Sequence, residues 1–478
     1  MNSHRVPARL DKVVALLLAL GTALALGLTE RDVGFVRDEG YYFRAGRDYA
    51  AWYGDVWQAA KRGRPLEAFT DAAISSRFSY NNEHPVFAKT LFGLSHALFT
   101  EKLGWLREAA GSRLPAWILS GLLSALLYLL GAGTVSRRGG VFAVLAFWLT
   151  PRHFFHGHLS CFDMPVAFAW LLVVYCYWRA LDGGRRWAVL TGLAYGVALA
   201  NKHNAWILPG VLALHFALGE APRLWRQGRA GALLPALRPF LAMAVLGPAL
   251  FFLHWPYLWH APVERFLWYA RFHTAHINYP WQYFGELLVD PPFPWGYAFG
   301  LTSVTVPLAL LVLMATGAVR ELARFTGTYL LPDLKRRVVP LDSDSLLLLG
   351  NAFASLAVLS LPSIPIFGGV KHWLPSMPFL ALFAARALER VSDVVAERVN
   401  ARLAWPAVAA LVLAPAGWGL ARNHPYGTSF YNELAGGHPG GASLGMHRQY
   451  WSNNFTGVLG WLNENAPPNA RVFMHEVN

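Results

Sequence analysis

Eleven stretches of this chain are apolar enough to form membrane helices, and they recur from one end to the other. The first is Val13–Leu28; the rest lie near 114–134, 141–157, 163–180, 187–200, 204–218, 238–255, 297–318, 345–361, 373–390 and 404–420. A hydrocarbon core about 30 Å thick needs roughly 17–25 such residues in a helix, so the pattern predicts an all-α polytopic membrane protein of about 11 spans. One further stretch, Pro85–Phe99, covers only about 21 Å at about 1.5 Å per residue. It is expected as a re-entrant or interfacial helix, because counting it as a span would put Asp163 on the opposite side from Asp38.

Arg5, Arg9 and Lys12 precede the first run, as in a signal peptide. Yet Ala23-Leu24-Ala25 is followed by more apolar residues and no polar cleavage region, so the run is read as an uncleaved helix with a cytoplasmic N-terminus. The loops then sort by charge. Arg137-Arg138, Arg179/Arg185/Arg186, Arg223/Arg226/Arg229/Arg238, the Lys335-Arg336-Arg337 region and Arg386–Arg402 fall on alternate loops, which are the cytoplasmic ones. Residues 29–113, 158–162, 201–203, 256–296, 362–372 and the tail from 421 face outward. The polytopic domain is therefore 1–420, with long outer loops 29–113 and 256–296. Residues 421–478 form an outward, turn-rich tail whose Ala470-Arg471-Val472-Phe473-Met474 suggests the first strand of a small outer domain.

Composition narrows the class. The chain is 55% hydrophobic and 14% charged over 478 residues, against about 25% charged for soluble domains, which excludes a soluble enzyme, a disordered chain and a disulfide scaffold. The net charge of +13 would suggest nucleic acid in a soluble protein; here it reports orientation, and no nucleic-acid partner is expected. Cys161 and Cys176 are the two cysteines, too few for a metal cluster. No internal repeat is evident.

Candidate chemistry collects on the outward loops. Asp38 and Glu39 stand just beyond the first helix. Acids in a first turn suit the helix dipole; a catalytic base needs one of them beside an acceptor hydroxyl. Glu83, His84 and Lys89 close the same loop, as metal ligands and a phosphate cation or as an interfacial helix entry with a snorkelling lysine. Asp163, in His156-Gly157-His158-Leu159-Ser160-Cys161-Phe162-Asp163-Met164-Pro165, opens a strongly apolar helix. An ionisable group there is a functional candidate by default, although Asp before Met-Pro also fits a helix cap. Lys202-His203 and Lys371-His372 interrupt apolar runs on the same side. Lys89, Lys202 and Lys371 are thus three of only seven lysines placed against the positive-inside bias, as an anionic ligand such as phosphate would require. His273 and His276 share a helical face and are further candidates for a metal, beside the ordinary aromatics of an interface.

An acidic pair after the first helix, His84-Pro85-Val86-Phe87-Ala88-Lys89 ending the first outer loop, and Asp163-Met164-Pro165 opening a later helix together resemble the GT-C polytopic glycosyltransferases, specifically the protein O-mannosyltransferase and aminoarabinose transferase superfamily. The likeness runs over roughly residues 10–420. The tail pattern His424-Pro425-Tyr426, Tyr431-Asn432, Gly436-Gly437 and Tyr450-Trp451 is similar to bacterial members. Val86 stands where the family usually has a second Pro. The resemblance implies inverting transfer of a sugar from a polyprenyl-phosphate donor to a lipid, glycan or protein hydroxyl on the outer face. Asp38 would be general base, Glu39 its partner and Asp163 a further catalytic acid. His84, Lys89, Lys202, Lys371 and His372 would bind the donor phosphate, and Glu83, His84, His273 and His276 would hold any divalent metal. The implied location is the bacterial plasma membrane, facing the periplasm. The competing reading is a transporter or flippase of a lipid-linked or anionic substrate, which should carry its ionisable groups near mid-membrane on broken helices.

Overall fold

The computed structural model describes residues 7–182, 184–330 and 340–472. It is a helical bundle, and among the described residues its one sheet is an antiparallel hairpin, Trp281–Tyr283 with Glu286–Leu288. Every expected apolar run becomes helix, but proline breaks two of them. The run at 141–157 splits into α6 (Arg137–Trp148) and α7 (Pro151–His158), and that at 297–318 into Tyr297–Thr305 and Leu308–Phe325. Proline lacks the N–H of the helical ladder and pushes the preceding residue out of helical geometry; Thr150 and Val306 are accordingly extended.

Among the described residues, five helical stretches are long and apolar enough to cross a membrane: Arg9–Asp32, Glu108–Thr134, His203–Arg226, Ala230–His254 and Ala401–Asn423. A sixth candidate is bent. Here α7 meets α8 (Asp163–Ala180) at 102°, so α7 lies across the bundle's end and Asp163 starts the descent of α8.

Ion pairs mark the two ends. At one rim Asp11, in the first turn of α1 (Arg9–Leu28), meets Arg137 at 2.6 Å, Arg138 meets Glu389, and Glu321 draws in Arg324 at 2.7 Å and Arg386 at 3.5 Å. These are the arginine loops expected to be cytoplasmic; Lys335-Arg336-Arg337 lies outside the described residues. The 20 residues of α1 carry the chain about 30 Å to the other rim, where Thr29 bonds His158 at 2.8 Å. The starts of α2 and α8 lie at that second rim.

The loop expected to face outward, residues 29–113, is itself mostly helical: α2 (Arg37–Lys61), α3 (Asp71–Phe78) and α4 (Phe87–Ser95). The nine residues of α4 continue through a wide turn, His96–Lys102. They fall short of a span, in keeping with a re-entrant or interfacial element. Its seat on α2 rests on two glycines. A Cβ on Gly93 would stand 1.8 Å from the Gly46 carbonyl oxygen, and one on Gly46 would stand 2.7 Å from the Lys89 carbonyl.

The tail does not form a separate layer. Asn432 donates to the carbonyls of Ser303 and Val306 at the proline break, and Arg152 of α7 donates to the Phe430 carbonyl at 3.2 Å. The strand expected near 470 is not formed over Ala470–Val472; its later residues lie outside those described.

Candidate active site at the outer rim

The acidic pair at the start of α2 divides. The Glu39 carboxylate takes two hydrogen bonds from the Arg113 guanidinium of α5 (Glu108–Thr134), at 2.6 and 2.7 Å. It also accepts from the backbone N–H of Ser160 at 3.0 Å and of Val36 at 3.2 Å. With 0% of its side chain exposed, it has no lone pair left for a substrate. The expected partnership with Asp38 is therefore corrected: Glu39 caps its own helix and clamps three elements. Successive helical side chains point about 100° apart, so Asp38 faces the other way, 25% exposed, with Lys371 Nζ 3.6 Å from its Oδ2.

Asp163 opens α8 beside α7. His156 Nδ1 lies 2.9 Å from Asp163 Oδ2, and His156 Nε2 lies 3.2 Å from the Tyr450 hydroxyl. Lys371 sits in a loop tightened by Gly368 and Gly369, both at positive φ; a Cβ on Gly368 would strike the Lys371 side chain. The Lys371 ammonium lies over the rings of Trp451 at 5.1 Å and Phe367 at 5.3 Å. Lys202 follows the end of α9 (Arg185–Leu199). Burial lowers its pKa, Asp163 and Asp38 oppose that, and Lys371 adds to it. Asp38, Asp163, Lys202 and Lys371 are thus one electrostatic group at one rim, with His84 and His372 beside Lys202.

This arrangement can be set against known proteins. The model for dolichyl-phosphate-mannose-protein mannosyltransferases matches residues 83–254, less than half of the chain. ArnT from Cupriavidus metallidurans, solved bound to undecaprenyl phosphate, superposes with a TM-score of 0.54 at 19% identity, over 82% of this chain and 62% of ArnT. The archaeal oligosaccharyltransferase AglB from Archaeoglobus fulgidus, solved with an inhibitory peptide and a dolichol-phosphate, superposes with a TM-score of 0.51 at 14% identity, over 95% of this chain and 58% of AglB. The chain has the GT-C fold. It is an integral membrane protein, and it spans about three fifths of the length of these two relatives. No curated protein sequence matches it.

Two expectations for this GT-C rim change. Lys89 was expected at the donor phosphate, but it is fully buried and its ammonium serves Tyr49 Oη at 3.1 Å, Asn81 Oδ1 at 3.1 Å and the carbonyls of His84 and Asn81. Three N–H groups facing four acceptors leave nothing for a ligand. Lys89 ties the 81–84 turn to α2 instead. Lys89→Met should lower thermal stability, at about 1–3 kcal/mol per buried acceptor left unpaired. Donor affinity per folded molecule should stay within about twofold; thermal melts and lipid-phosphate titration in detergent check both.

The metal candidates do not converge. His273 Nε2 is 2.7 Å from the Glu83 carbonyl and His276 Nδ1 is 2.7 Å from that of Ile277, so one ring nitrogen of each is engaged with backbone. His276 stacks on Phe367 at 4.9 Å. No group of three or more His, Cys, Asp or Glu side chains among the described residues is placed to hold an ion, so no step is drawn through a metal. The rings cluster instead, His203 on His273 at 3.9 Å and His84 on His273 at 5.4 Å.

Burial holds His84, His276 and His372 below the ordinary imidazole range and takes His273 down to about 4. The unfolded chain binds these protons near pH 6.5 and the folded chain does not. Stability should therefore be full above about 6.5 and fall as pH drops toward about 4, which melting temperatures across that range will show.

Sequence reasoning missed His156, Arg113 and any role for Tyr450-Trp451. His156 and the Tyr-Trp pair stood in the quoted motifs, but nothing local says that a tail 294 residues onward returns to α7. Arg113 lies among apolar positions of α5, and its partner becomes visible only once α2 and α5 are packed.

Proposed function

We propose that this protein is a glycosyltransferase that moves a sugar from a polyprenyl-phosphate donor to a hydroxyl of a lipid, glycan or protein. The reaction would invert the anomeric carbon, at the periplasmic face of a bacterial plasma membrane. The observation that carries the proposal is the opposition of a solvent-accessible carboxylate, Asp38, to the cations Lys371 and Lys202 at one rim of a GT-C bundle. The matched mannosyltransferase family and the lipid phosphates bound to ArnT and AglB support the same donor class. A transporter would keep its charges at mid-membrane; the charged group described above sits at the rim.

In this reading the acceptor hydroxyl approaches Asp38, which removes its proton as the oxygen bonds the anomeric carbon from the face opposite the phosphate. The bond from that carbon to the phosphate oxygen breaks, and its electron pair stays on the phosphate. Lys202 and Lys371 meet the charge that grows there. Buried polar atoms without a partner among the described residues, His84 Nδ1, His372 Nε2, Asn201 Oδ1 and Asn204 Oδ1, flank the same cations, and each unpaired atom costs about 1–3 kcal/mol until a polar ligand meets it.

Purified protein in liposomes, given polyprenyl-phosphate sugars, should release free polyprenyl phosphate only when acceptor is present. Mass spectrometry of lipid-linked sugars and envelope glycans, with and without the protein, should name the pair. No transfer from any lipid-phosphate sugar would end the proposal. Lys202→Gln should lower kcat/KM about 10²-fold, with weaker binding of undecaprenyl phosphate.

A further inference from the structure

Tyr450 and Trp451 touch the start of α2, α7 and the Lys371 loop, three of the segments around the site, although they belong to the tail. The Trp451 carbonyl accepts from the backbone N–H of Arg37, next to Asp38, at 3.2 Å. The Trp451 ring packs on His156 at 4.8 Å and under Lys371 at 5.1 Å. The Tyr450 ring lies on Gly369, where a Cβ would approach it to 3.2 Å, and its hydroxyl reaches His156 Nε2. The dipeptide is held in turn by Gln449 Oε1, which accepts from the backbone N–H of Trp451 and of Ser452. The start of α2, the His156 turn of α7 and the Lys371 loop come from distant parts of the chain, and this one dipeptide contacts each of them.

Hydrogen-bond directions make the contact chemical as well as steric. A carboxylate can only accept, so His156 donates from Nδ1 to Asp163. At the other end of the ring, Nε2 shares a hydrogen bond with the Tyr450 hydroxyl at 3.2 Å. The carboxylate fixes Nδ1 as the donor, and Tyr450 holds the far nitrogen of the same ring, so the imidazole is anchored at both ends. We propose that Tyr450 and Trp451 are positioning residues: the tail docks on the rim and, through His156, fixes the Asp163 carboxylate relative to Asp38 and Lys371. The proposal rests on the glycosyltransferase reading.

The test uses the full chain in liposomes with whichever polyprenyl-phosphate sugar the wild type turns over. Tyr450→Phe removes one oxygen and keeps the ring. It should lower kcat about tenfold, with donor KM within about twofold and unchanged elution and melting temperature. His156→Ala should lose about 10²-fold in kcat, and His156→Asn, whose amide N–H can take the place of Nδ1, should recover at least half of that loss on a logarithmic scale. A packing role would not separate Asn from Ala, since both remove the ring. Wild-type kcat in Tyr450→Phe, or equal loss in the Asn and Ala variants, would overturn the proposal while leaving the transferase reading intact. An inactive wild type with every lipid-phosphate sugar would instead sink the reading itself.

Discussion

Asp38→Asn should abolish sugar transfer, by about 10³-fold or more, in a protein that inserts, folds and melts like the wild type. The chemical side follows from what an amide lacks: it cannot accept the acceptor's proton, and a positioned base contributes about 10²–10⁴-fold. The structural side follows from how little the fold asks of Asp38. Its ion pair with Lys371 is long at 3.6 Å and partly exposed, a class worth about 0–1 kcal/mol. Asn is close to isosteric, and the first turn of α2 keeps its Glu39 cap. The measurement is turnover of a lipid-phosphate sugar beside a melting curve on the same preparation. Full activity would remove Asp38 as the base. Loss of activity together with loss of folded protein would mean that this carboxylate, like its neighbour, is structural.

The resemblance and the hydrophobic pattern made most of this legible, and the limits have physical causes. Apolar run length reports that a segment is buried in lipid or protein, but not whether it is straight. Pro151 and Pro307 are visible as residues but not as helix breaks, because Pro115, Pro248, Pro406 and Pro415 stand inside helices that continue; the 102° turn between α7 and α8 falls in the short link after His158. That the arginine loops and the candidate acids fall at opposite rims is legible because charge on loops is a local count. Which carboxylate of an adjacent pair is free is not, since it depends on the packing of α5 against α2. Lys89 shows the same limit: placed against the positive-inside bias like Lys202 and Lys371, it is the one whose donors are consumed by the turn that precedes it. Both readings of each residue were chemically sound, and the count of available partners separated them.

Arg113→Met should be the most destabilising single change at this rim. Its guanidinium, 1% exposed, bonds the Glu39 carboxylate twice and the carbonyls of Val33 and Gly34, and lies 3.5 Å from Glu30. Methionine fills similar space without a charge, so the loss is not a cavity. It is the carboxylate of Glu39, 0% exposed, left with two backbone N–H groups and no counter-charge. Removing one partner of a buried ion pair costs about 3–5 kcal/mol, a large share of a typical stability of about 5–15 kcal/mol. The expected result is a marked fall in melting temperature and in yield of monodisperse protein. Adding Glu39→Gln to Arg113→Met should restore part of it, because the amide removes the uncompensated charge while keeping an oxygen for one of the two backbone N–H groups, Ser160 or Val36. That double variant separates the neighbours: if Glu39 is structural, the rescued protein keeps measurable transfer, whereas a Glu39 that acts on the substrate leaves it stable and inactive. Retention of wild-type stability in Arg113→Met alone would mean that the clamp does not form in the membrane.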